Sequence, residues 1–296
     1  MIRLDAATVL LQWATGGLFF LWFTTRRREV GLGYGWLLRG TFLALAAGAL
    51  ACGVSFGVVV VRDVASALVV AATAAVLVVS IGRRRAGVSG ADAEHDRRTA
   101  RVAEMTGIDR EPARQPGRNP ASGTGSGREF APSLDLIAPT IGLIGLIAAG
   151  LDAADQGGAH LAVGLVRTVA GAAFLGAVTD AMLLGHWYLV QPGLPRKHLN
   201  ELVRALGLVW PVEVVALLLP TGMLAVWSGE VDDGWNGTLG WFWGACAVST
   251  IVLVFVTRAA LRERYYSAVM AATGLLYLAI LTAFGTDLVA RAVLAG

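Results

Sequence analysis

Eight stretches of this chain are apolar for about 18–25 residues or more, the length that spans a hydrocarbon core of about 30 Å. They are Ala6–Phe23, Leu37–Val61, Val64–Ile81, Leu134–Leu151, Leu161–Val190, Ala205–Trp227, Leu239–Val256 and Ala268–Leu288. In lipid every backbone polar group must be satisfied within the protein, so apolar runs of this length fold as helices. The expected fold is all-α, a polytopic integral membrane bundle of about eight transmembrane helices. Charged residues make up only 15% of the chain, less than a soluble protein of this length carries.

Much of that charge lies in Arg83–Glu129. The segment 82–133 is rich in Arg, Asp, Glu, Gly, Ser and Pro and nearly lacks large apolar side chains. Such a chain buries too little surface to offset its ordering entropy. It reads as a disordered linker between a three-helix membrane segment, 1–81, and a five-helix segment, 134–296, with Arg114–Arg128 its most flexible part.

Arginine sets the expected orientation. Arg26–Arg28 follow the first run, Arg83–Arg85 the third, Arg196 and Lys197 the fifth, and Arg258, Arg262 and Arg264 the seventh. The other connections, Arg62–Asp63, Asp152–His160 and Ser228–Thr238, are acidic or near neutral. The positive-inside rule then puts the linker in the cytoplasm and both termini outside a bacterial-type plasma membrane. The first run lacks a basic leader and a small-residue cleavage site, and is expected to stay as an anchor. The net charge of +3 is mostly this arginine and does not imply nucleic acid.

Ionisable side chains inside membrane-length helices are costly and by default mark a functional polar site. The fifth run carries Arg167, Asp180 and His186; the sixth carries Glu213. A short connection makes the two helices antiparallel neighbours, which predicts Asp180 and Glu213 at similar depth in the cytoplasmic half. Arg204 lies near the depth of His186, and Tyr188 is in the string Gly-His-Trp-Tyr-Leu-Val-Gln-Pro-Gly. Asp180, His186, Glu213, Arg204 and Tyr188 are therefore the candidate proton- or ligand-binding residues. Pro211 is expected to kink the sixth helix beside Glu213.

No metal motif is present, and no Cys-x-x-Cys-His. A haem held by His186 and His198 is the alternative reading, since His95 lies in the linker and His160 on the opposite side. Cys52 and Cys246 suit small buried hydrophobes. Asp287 and Arg291, four apart, read as an ordinary helix pair. No phosphate loop, kinase, zinc-protease or nucleophile-elbow motif occurs.

These features fit a membrane subunit or accessory protein of a redox or respiratory assembly, handling protons or a quinone-like head group. A small-molecule or ion permease and a non-catalytic membrane scaffold are the alternatives. The expected partners are the lipid bilayer and other membrane subunits. The sequence fixes no cofactor, oligomeric state or enzymatic activity.

Overall fold

The computed structural model describes residues 5–84, 130–155, 161–191, 194–219, 222–263 and 265–294. Most of the linker, including Arg114–Arg128, and both His95 and His160 lie outside the described residues. The described chain is an all-α bundle. Its helices are α1 (Ala6–Thr25), α2 (Leu32–Phe56), α3 (Val60–Gly82), α4 (Ile137–Asp155), α5 (Leu161–Val190), α6 (Lys197–Leu218), α7 (Met223–Ser228), α8 (Thr238–Ala260) and α9 (Tyr266–Leu294). A 3₁₀ turn, Pro132–Leu136, leads into α4.

Seven of these helices are long and apolar enough to cross a membrane, α4 together with its 3₁₀ turn. The sixth apolar run is the exception. Leu219 precedes Pro220 and is extended, as the residue before a proline is pushed away from the helical region. The chain breaks there and continues as the short α7. Upstream, the helix begins at Lys197, eight residues before the apolar run, and takes in Glu201 and Arg204. α6 is thus too polar to count as a free-standing span. It nevertheless traverses the bundle over 22 residues, about 33 Å. Pro211 lies within it without ending it.

Ion pairs and hydrogen bonds fix the order of the ends. Asp5 at the start of α1 pairs with Arg62 at the start of α3. Arg291 near the end of α9 donates to the carbonyl of Arg167 near the start of α5. Gln12 in α1 donates to the carbonyl of Thr168, so α1 and α5 run parallel. The first and last described residues therefore share one end of the bundle. At the other end, Arg26 and Arg27 after α1 meet Glu201 near the start of α6. Arg62 and Asp63, expected in a loop, form the first turn of α3, and the α2–α3 connection is only 57–59.

α1 is the central helix, packed against α2, α4 and α5. Two glycines explain how it fits. A methyl group on Gly16 would overlap the backbone of Ala172, and one on Gly176 would overlap the backbone of Gly16. The α1 and α5 backbones meet directly, the approach that small residues permit in lipid. Leu11, Leu18, Leu21, Phe42, Phe174 and Leu184 fill the core around this crossing.

Candidate functional site

On α6 the buried positions Leu199, Leu202, Leu206, Glu213 and Leu217 recur at helical spacing. Glu213 thus takes an inward place that every neighbouring turn fills with an apolar side chain, and it is fully buried. It faces Asp287 of α9, with Arg291 and Arg167 beyond. Arg291 donates to both oxygens of Asp287, at 2.8 and 2.9 Å, and to the Arg167 carbonyl at 2.8 Å. Arg167 donates to the carbonyls of Ala216 and Leu219, each at 2.8 Å, at the frayed end of α6. Gly171 of α5 provides the floor. A side chain there would collide with Arg291, Asp287 and Gln12.

Helices α1, α5, α6 and α9 thus converge on two arginines and two carboxyls. The hydrogen bonds of the arginines go to Asp287 and to main-chain carbonyls. Among the described residues no N–H or hydroxyl donates to Glu213, and the group beside its carboxyl is the carboxyl of Asp287. A buried carboxylate without donors costs several kcal/mol, whereas the neutral acid costs much less. The arrangement therefore couples the protonation of Glu213 to the charge of the Asp287–Arg291 pair beside it.

The other expected residues are not gathered at this site. Asp180 is fully buried, but it lies nine residues beyond Gly171 on α5, about 13 Å along the axis. The Tyr34 hydroxyl donates to its main-chain carbonyl at 3.5 Å. The expected common depth fails because the sixth apolar run is centred well past the real α6. Glu213 sits five residues from the end of that helix. His186 is on the outer face of α5, with Nδ1 3.4 Å from the Tyr277 hydroxyl. Arg204 is exposed on α6. Tyr188 is buried and donates to the Pro195 carbonyl at 2.7 Å. His198 faces Glu29, with Nε2 2.8 Å from a carboxylate oxygen. The His186–His198 haem pairing has no geometric basis in this arrangement. Among the described residues, no group of three or more His, Cys, Asp or Glu side chains is placed to hold a metal ion.

Three polar clusters were missed. Arg39 of α2 grips both oxygens of Asp135 at 2.8 and 2.7 Å, packs over Phe130 and reaches Ser80. Arg39 lies inside the second apolar run, so the intramembrane-charge argument applied to Asp180 would have found it. Arg62 holds Asp63 and Asp5 at 2.8 Å each. Glu29 joins the α1–α2 loop to the start of α6 through His198 and Lys197, each at 2.8 Å. Gln191 completes that joint. It accepts from the Gly31 N–H and the Trp187 indole and donates to the Glu29 carbonyl. No local motif marks this joint, because its partners are more than 150 residues apart.

Two electrostatic effects outside the spans are clear. Burial pushes the Glu29 carboxyl up, but hydrogen bonds from Lys197 and His198 outweigh it and leave the group below its ordinary value. Burial pulls the His198 imidazole down, and Glu29 only partly restores it. Comparison with known protein families, characterised proteins and solved structures returns no match.

Proposed function

We propose that this protein is a proton-handling membrane subunit in which Glu213 gains and loses the proton. One observation carries the reading: Glu213 is fully buried without a donor among the described residues, its carboxyl set against that of Asp287 in the bridged Asp287–Arg291 pair. Ionisable groups held this way inside helices are characteristic of proton relays. The neighbouring pair supplies a fixed dipole that responds to each change of charge at Glu213. The setting we infer is a redox or respiratory assembly in a bacterial-type plasma membrane, where proton uptake balances electron charge. By the positive-inside rule the arginine-rich end faces the cytoplasm and both termini lie outside.

The test is infrared difference spectroscopy of the purified protein in liposomes across a pH step, with proton uptake measured in parallel. Wild type should show a carboxylic-acid band that titrates. Glu213→Gln should lose the band and the uptake while keeping the fold, because the amide preserves shape but cannot titrate. Glu213→Leu should lose both as well. Equal uptake in all three proteins would refute the proposal, and uptake only with an added solute would favour a permease.

A further inference from the structure

Asp180 is also fully buried, and among the described residues no donor reaches either of its carboxyl oxygens. Its surroundings differ from those of Glu213. No described arginine, lysine or histidine interacts with it. The titratable side chain facing it is Tyr34 of α2, whose hydroxyl lies 3.5 Å from the Asp180 main-chain carbonyl. Tyr34 in turn faces Thr24, near the end of α1, and Tyr188. Tyr188 lies two turns along α5 from Asp180 on the same side, as i and i+8 positions do. Its hydroxyl reaches the Pro195 carbonyl in the α5–α6 connection. Tyr34, Thr24 and Tyr188 thus place three hydroxyl groups between Asp180 and the arginine-rich end, those of Thr24 and Tyr188 donating to main-chain carbonyls.

In the other direction the bundle is closed. Gly176, one turn from Asp180, presses its backbone on Gly16. Around that contact lie Leu18, Phe42, Phe174 and Leu175, all nearly or fully buried. The Asp287–Arg291 pair begins only beyond it, at Gly171.

We propose that Asp180 is a second protonation site, served from the arginine-rich end through Tyr34 and Tyr188, and separated from Glu213 by the α1–α5 backbone contact. The proposal rests on the proton-handling reading of Glu213 and specifies how that function is divided. Each carboxyl exchanges with water at its own end. At Asp180 the step is simple: the carboxylate accepts a proton delivered by way of these hydroxyl groups, and the same route returns it. Tyr34 is a positioning residue that passes or orders that proton without being consumed.

The experiment uses the full chain in oriented liposomes, with pH stepped on one side at a time and carboxyl bands followed by infrared difference spectroscopy. Asp180→Asn and Glu213→Gln identify the two bands by their loss. The Asp180 band should respond to pH on the arginine-rich side alone and the Glu213 band to the opposite side alone. In Tyr34→Phe the Asp180 band should persist, with its response to the pH step slowed. If Asp180 carries no titrating band, or responds to the same side as Glu213, this inference is overturned. An absent Glu213 band beside a sided Asp180 band would instead overturn the proposed function. Unchanged kinetics in Tyr34→Phe would remove Tyr34 and these hydroxyl groups, and with them the proposed route.

Discussion

A charge taken out of water must find a partner close by, and the cost of removing that partner exceeds the worth of the pair. Arg39 and Asp135 show this most clearly, with side chains only 3% and 1% exposed. Asp135→Asn should lower stability by about 3–5 kcal/mol, because it strands a buried guanidinium. Replacing both residues with apolar ones of similar volume should recover most of the loss. Thermal unfolding in detergent checks both, and a single variant as stable as wild type would contradict the burial of the pair. At this scale the sequence was partly legible. Asp180 and Glu213 stood out as intramembrane acids, and both are fully buried. The neighbours of Glu213 did not stand out. Asp287 and Arg291 were read as a local helix pair, which they also are. Spacing along one helix cannot show that the pair faces a carboxyl from another.

Between elements, close backbone approach and loop pairing set the arrangement. Gly176→Ala should cost about 1–3 kcal/mol, since its methyl group overlaps α1 and two helices must shift. Gly274→Ala, with open space around it, is the matched control. Equal melting temperatures for the two variants would disprove the contact. The joint made by Glu29 and His198 has a pH dependence whose sign is fixed. The folded state holds both groups below their ordinary values. As pH falls below about 6.5 the unfolded His198 takes up a proton first, and Glu29 follows at lower pH. Stability should therefore fall on acidification, and His198→Gln should flatten the upper part of that fall. A melting temperature that rises between neutrality and mild acid would reverse the assignment. Seven runs each correspond to a membrane-length helix because an apolar run of that length has one solution in lipid, although the second overran the α2–α3 connection at 57–59. The sixth did not, because Pro220 cuts it while α6 gains polar residues from upstream that hydropathy discounts.

For the molecule as a whole, alternating arginine predicted the up-and-down order, and the traversals follow it, α6 included. What arginine implies beyond that is the side of the membrane. Cysteines engineered at Arg27 and Asn236 should label from opposite sides, Arg27 from the cytoplasm. Labelling of both from one side would break the topology. The packing order was not legible. That α1 lies at the centre depends on Gly16 meeting Gly176, a contact 160 residues apart that hydropathy does not encode.

The polarity of α6 bears on how the protein is made. During synthesis α6 leaves the ribosome with Lys197, Glu201, Arg204 and Glu213, and an acid or base at mid-membrane costs about 2.5–3.5 kcal/mol on insertion. Arg167 is already present on α5, but Asp287 and Arg291 arrive only with α9. α6 must therefore wait beside its predecessors until α9 is complete. In a nascent chain stopped before Tyr266, a cysteine engineered at Leu208 of α6 should react with a water-soluble thiol reagent, whereas in the full chain it should be protected. Equal protection in both would mean that the preceding helices alone retain α6.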